Sequence, residues 1–242
     1  MHLSDIFNVP LINLELHFQD FTLVDNETII DFYCCENKEK SAVKSLTLFG
    51  KHSNTSEDDA VVDSLLCRQE AKVKLKLLFK PTSEFKFRTE YIRSNANFFE
   101  SRHSHWISFQ DAIELKSFVI FLFNSSFNRN HLKLLIEKWN IGWTPEWITL
   151  TIEFCESVDI DECVNELTLT ERISNLQVCR KLTKYEYANG NTSVIHYHLR
   201  RPDGTVGVIS FENNTIGMFQ AYCDVEDNSA TFSNVLFNNK FQ

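Results

Sequence analysis

Glycine and proline are scarce in this chain, with six and four respectively among 242 residues. That leaves little material for a Gly-rich loop of the kind that cradles phosphates or a dinucleotide, and no Walker loop is present. Positive charge is also in deficit: 24 Lys and Arg stand against 33 Asp and Glu, a formal net charge of -9. A surface of that sign repels a phosphate backbone, so a nucleic-acid partner is not expected. No window approaches the roughly eighteen consecutive apolar residues that a membrane-spanning helix needs. Residues 1–10 lack a basic stretch followed by an apolar core, so the expected location is cytoplasmic or nuclear, with no membrane. The seven cysteines (34, 35, 67, 155, 163, 179 and 223) are odd in number and irregular in spacing. This is unlike the even frameworks of disulfide-stapled domains and predicts reduced thiols.

What the chain does have is apolar bulk, 43% hydrophobic residues with 21 Phe, ample for a packed core. Residues 11–18 alternate as a strand, a helical pattern carries Thr28, Ile29, Phe32 and Tyr33, and residues 43–49 alternate again. The unit then recurs. Ser56 is expected to cap a helix through Val61, Val62, Leu65 and Leu66, with Asp59 reciprocating, before a strand at 73–79. Segment 81–105 reads as irregular, with a short strand at Phe85-Lys-Phe87. A short helix at 109–113, a strand at 118–123, a helix at 129–139 and a strand at 147–154 follow. The run Phe118-Val-Ile-Phe-Leu-Phe123 is apolar throughout, which predicts a central strand buried on both faces. Helical crossovers between successive strands predict a mainly parallel sheet. The units resemble the leucine-rich-repeat plan without its strict consensus.

Past residue 170 the texture becomes an antiparallel meander, with strands at 182–187, 193–201, 205–211 and 216–222. Asn189-Gly190, Pro202-Asp203-Gly204 and Asn213-Asn214 mark the turns. The expected class is therefore α/β: residues 1–170 form strand-helix units on a mainly parallel sheet, and residues 171–242 form a C-terminal antiparallel β meander packed with them as one unit.

Candidate chemistry is sparse. His103-x-His105 and His196-x-His198 have a metal-compatible spacing, but no third ligand stands at a convergent position, so no metal or other cofactor is expected. Cys34-Cys35 has no neighbouring base or cation to activate a thiol, and no Gly-x-Ser-x-Gly elbow occurs. Glu156, Asp159, Asp161 and Glu162 lack the order of a calcium loop and read as a linker or helix start. Lys72, Lys74 and Lys76 alternate with Val73, Leu75 and Leu77, as on a half-buried strand with a solvated face; with Lys80, Lys86 and Arg88 they form the one stripe that an RNA could use. Trp139, Trp143 and Trp147 surround a Gly142-Pro145 turn and are read as plugs of a helix-to-strand junction, with Trp106 buried in the same manner.

Two of these segments carry a resemblance. Trp106-Ile-Ser-Phe-Gln-Asp-Ala-Ile, the strand 118–123, and the helix to Trp139 followed by Gly142 resemble the central block of the nematode F-box-associated domain, type two. The hairpin Leu199-Arg-Arg-Pro-Asp-Gly-Thr-Val-Gly-Val-Ile209 is similar to the Arg-x-Asp-Gly hairpin that closes that domain. Lys133 stands where the family has Asn, and Gly207 where it has Ala. No Leu-Pro-led helical F-box precedes Leu11, so the expectation is of a post-F-box region alone. The resemblance implies a non-enzymatic protein-interaction module that recognises a protein substrate for a cullin-RING ubiquitin ligase, with Skp and cullin subunits as further partners. Trp106, Trp139, Gly142, Arg201, Asp203 and Gly204 would be its structural motif positions.

Overall fold

The computed structural model describes residues 13–34, 43–92, 96–173, 175–187, 190–212 and 215–222. Strands β1 (Asn13–His17), β2 (Ser45–Ser53), β3 (Lys74–Lys80), β4 (Phe98–Ser101), β5 (Val119–Leu122) and β6 (Thr149–Glu153) follow one another through the first two thirds of the chain. Between them lie helices α1 (Leu23–Tyr33), α2 (Ser56–Arg68), α3 (Phe109–Glu114) and α4 (Arg129–Asn140); α5 (Ile160–Leu169) follows β6. Four further strands follow among the described residues: β7 (Gln177–Tyr187), β8 (Gly190–Arg200), β9 (Val206–Glu212) and β10 (Ile216–Tyr222).

All ten strands form one mixed sheet in the order β1-β2-β3-β4-β5-β6-β10-β9-β8-β7. Neighbours from β1 to β6 are parallel. The last four strands are antiparallel, and β10 docks antiparallel on β6 to join the two parts. Each strand from β1 to β6 pairs with its predecessor in sequence, so every crossover advances in the same direction. Right-handed connections then put every helix on the same face. Burial agrees. Leu46, Leu75, Phe99, Ile120, Leu150, Phe219 and Ile209 lie in register across seven consecutive strands and are all buried beneath the helices.

The structure corrects the sequence reading in three places. Residues 98–101, left irregular by the sequence, are β4, whereas Phe85-Lys-Phe87 is no strand. Phe85 and Phe87 pack instead around Trp106, at centroid distances of 5.0 and 5.7 Å. Two alternating aromatics suffice to look like a strand, but here they plug the base of the helical layer. The second correction concerns β5, which is not buried on both faces. Ile120 and Leu122 are buried while Val119 and Phe121 are half-exposed. Third, α2 is capped by Thr55, not Ser56. The Thr55 hydroxyl accepts from the Asp58 amide, and Asp58, not Asp59, reciprocates on the Thr55 amide. Asp59 is buried and accepts instead from Asn54 at 2.9 Å and from the Thr82 hydroxyl at 2.5 Å.

The cap assignment yields a test. Thr55→Ala should cost about 1 kcal/mol by removing the hydroxyl acceptor, whereas Ser56→Ala should lie within about 0.5 kcal/mol of the parent. Urea midpoints of the two variants, compared at equal m-value, decide between the positions.

Candidate interaction surface

Because the helices occupy one face, the opposite face of the sheet is uncovered by any described helix. Register lays out its rows. One row reads Asn13, Ser45, Lys74, Phe98, Val119, Thr149, Gln220, Val208, His198 and Cys179. The next reads Glu15, Thr47, Lys76, Glu100, Phe121, Thr151, Met218, Ser210, His196 and Lys181. At the centre, Phe98 and Phe121 meet across β4 and β5 in a tilted pair with centroids 5.3 Å apart, and Phe123 continues the ladder, stacked 6.0 Å from Phe121. Thr149, Thr151 and Ser210 are buried, small residues sunk between larger neighbours.

Charges frame this apolar centre. Lys74 lies over the Phe98 ring at 4.9 Å, and Lys76 pairs with Glu100 at 2.9 Å. Burial, and then the Lys76 charge, hold the Lys74 ammonium below its ordinary value, with Glu100 offsetting only part of that. At the far end, His196 and His198 point to the same side of β8, as a strand requires of residues two apart. Burial pushes both imidazoles down; for His198 the Lys181 charge and then His196 add to the effect.

The other sequence-nominated residues serve packing. Trp139 is fully buried in α4, donates its indole N–H to the Leu199 carbonyl at 3.0 Å and meets Phe219 edge-on at 5.5 Å. Arg201, itself buried, caps the same ring at 4.4 Å, donates to the Trp143 carbonyl at 3.1 Å and pairs with Asp203 at 3.0 Å. Amide donation from Thr205 first, and the nearby Arg201 charge among lesser causes, hold the Asp203 carboxyl below the usual range. Gly204 has φ +89° and donates to the Arg201 carbonyl, as the turn predicts. Gly142 ends α4 with φ +95°. Trp147 donates to the Ile113 carbonyl at 3.1 Å, and Trp106 is the hub of the aromatic plug, 7% exposed. Trp139, Gly142, Arg201, Asp203 and Gly204 thus gather at the helix-to-hairpin junction and Trp106 in the plug, not on the open face.

Among the described residues, no group of three His, Cys, Asp or Glu side chains could hold a metal ion. His103 lies in the loop after β4, where burial and then the charges of Lys80, His105 and Arg102 push its imidazole down, a setting that disfavours a cation. Cys34 is buried at the end of α1, and burial raises the Cys163 thiol. Cys35 and Cys223 lie outside the described residues. The acidic cluster is a helix start: Asp159 caps α5, and Asp161 accepts from the Tyr197 hydroxyl at 2.9 Å. Burial, then Asp161, push the Tyr197 hydroxyl up to about 12. No described helix is long and apolar enough to cross a membrane. No family model matches the chain, and no curated protein matches it.

Two variants probe this layout. A Cβ at Gly207 would lie 2.9 Å from both Trp139 Cε2 and Phe219 Cζ, so Gly207→Ala should overpack the junction and lower stability by about 1–3 kcal/mol in a denaturant titration. The imidazoles supply a pH test. In the folded chain His196 and His198 sit below their unfolded value, so the unfolded state takes up protons first; stability is intact above about pH 6.5 and declines as the pH falls below it. The urea midpoint of His196→Gln/His198→Gln should therefore fall less than the parent's between about pH 7 and about pH 5.5.

Proposed function

We propose that this chain is a non-catalytic protein-interaction module that holds a protein partner on the uncovered face of its sheet. One observation carries the reading. Parallel sheets are almost always covered on both faces, yet here six successive parallel strands have their helices on one side, and the other side, which no described helix covers, is half-exposed along β3, β4 and β5. Solenoids of the leucine-rich-repeat type use such one-sided stacking to create broad binding surfaces, and the first part of this chain follows a comparable plan. The aromatic ladder Phe98-Phe121-Phe123 supplies the rigid apolar anchor typical of interface hot spots.

The resemblance to F-box-associated domains supports the same reading and suggests the use: holding a substrate near a cullin-RING ligase. A tether of that kind accelerates transfer by raising effective concentration, with no chemistry of its own.

Photo-crosslinking tests the surface. With benzoylphenylalanine placed at Val119 or Val208 on the open face, or at Glu57 on α2, the tagged chain in its native cells should capture one protein from both sheet positions and not from the helix. Capture from Glu57 alone would overturn the proposed face. Recovery of Skp and cullin subunits with the captured protein would support the ligase role, and their consistent absence would remove it while leaving the binding module.

A further inference from the structure

The open face is charged differently from the rest of the molecule. Its registered positions with described side chains carry Lys74, Lys76, Lys80, Lys181 and Arg200 against Glu15, Glu100 and Glu153, in a chain whose formal charge is -9. The helical side holds the acid: Asp25, Glu27 and Asp31 on α1; Glu57, Asp58, Asp59 and Asp63 on α2; Asp161, Glu162 and Glu166 on α5. The basic groups on the sheet also fall on two separated sets of strands. Lys74, Lys76 and Lys80 occupy β3, while Lys181 and Arg200 occupy β7 and β8. Between them Phe98, Val119, Phe121, Thr149, Thr151, Met218, Gln220, Val208 and Ser210 carry no charge, Glu100 is taken up by Lys76, and Glu153, which accepts from the Asn124 amide, adds a carboxylate that would repel an acidic residue in the middle of a segment.

Resting on the interaction reading above, we infer that the partner presents an extended segment with carboxylates near both ends and an uncharged, apolar middle, laid across the strands from β3 to β7. Seven inter-strand steps separate these strands in the sheet order. At about 4.8 Å each they span about 34 Å, which an extended segment of about ten residues matches at about 3.3 Å per residue. A carboxylate beside Lys74 would supply the counter-charge that Glu100, engaged by Lys76, supplies only in part, and apolar side chains would lie on the Phe98-Phe121-Phe123 ladder. The face suits sparse carboxylates better than a polyphosphate. Five basic groups set against three acidic ones do not offset the phosphate density of a nucleic acid against a negative molecule.

The test uses the full chain and four probes of equal length, each about twelve residues or nucleotides long, read by fluorescence anisotropy. The first peptide has two Glu near each end around a Leu/Gln centre. The second replaces every Glu by Gln, the third moves the four Glu to the centre, and the fourth probe is oligouridylate. The first peptide should bind at least about fivefold tighter than the second and third, the discrimination that about 1 kcal/mol of charge pairing supplies. Lys74→Gln and Lys181→Glu should each remove most of that difference; Lys181 is exposed and its change should leave the thermal midpoint in place, while for the half-buried Lys74 the difference between peptides is compared at a temperature well below the variant's own midpoint. Equal affinity for the first three peptides, or tighter and steeply salt-dependent binding of oligouridylate, would overturn the acidic-ended segment. The reading beneath it is separable. If the Gln peptide binds as well as the Glu peptide and Phe121→Ser weakens both, the open face is a binding surface and only the acidic preference falls; if no peptide binds, the acidic segment is refuted, and the face itself stands or falls on the crosslinking result.

Discussion

The indole of Trp139 holds the two parts of the sheet in one structure. It reaches from α4, which belongs to the strand-helix units, to the Leu199 carbonyl on β8, which belongs to the meander. A buried indole N–H without an acceptor would cost the full desolvation of that group, so this one bond fixes where β8 must lie relative to α4. The ring is then enclosed by Phe219 on one side and Arg201 on another, with the backbone of Gly207 close against it. Each neighbour is itself placed by something local: Arg201 by the turn that Gly204 permits, Phe219 by the β10 register on β6. The junction therefore couples a hairpin turn, a helix end and an antiparallel docking, and none of these can shift alone.

That coupling determines the open face. Were β10 to slip by one residue on β6, every side chain of the meander would exchange faces, and Met218, Ser210, His196 and His198 would turn toward the helices. The buried row through Leu150, Phe219 and Ile209 forbids this, because it would bring Met218 and Ser210 in place of Phe219 and Ile209 beneath α4. Packing on the helical side thus positions the residues on the opposite side, whose own contacts are with their cross-strand neighbours.

The same division explains how much was legible in the sequence. Local signals were read well. Pro202-Asp203-Gly204 gave the turn, and the alternation of Val73 to Phe79 gave β3, because capping, turn chemistry and periodicity act over a few neighbouring residues. Errors of one residue arose where several hydroxyl and carboxyl groups compete, as at Thr55-Ser56 and Asp58-Asp59. β4 was missed since only four residues pair there and the aromatic alternation of Phe85 and Phe87 gave the stronger false signal. The continuous apolar run of β5 misled in a more instructive way. Its outward residues, Val119 and Phe121, are apolar for the sake of the exposed ladder, so they imitate a strand covered twice. The face opposite the helices is not legible as a unit, because its members come from ten strands and meet only through register, which no local pattern encodes; the sequence offers the two imidazoles of β8 only as a metal-compatible spacing.

A surface built in this way has a particular evolutionary freedom. Residues on the helical face are bound by volume, since each is enclosed and a single methylene matters there. Residues on the open face are constrained chiefly by strand propensity and by their cross-strand neighbours, an energy scale of about 0.2–1 kcal/mol per pair. Exchange of Lys181 for another strand-compatible side chain would change the charge of that face far more than the fold. The charge segregation follows the same division: carboxylates concentrate on α1, α2 and α5, while Lys74, Lys76 and Lys80 of β3 and Lys181 of β7 stand on the opposite face. The two faces of the sheet are thereby held to different constraints, volume on one and cross-strand pairing on the other, joined by the register that Trp139 helps to fix.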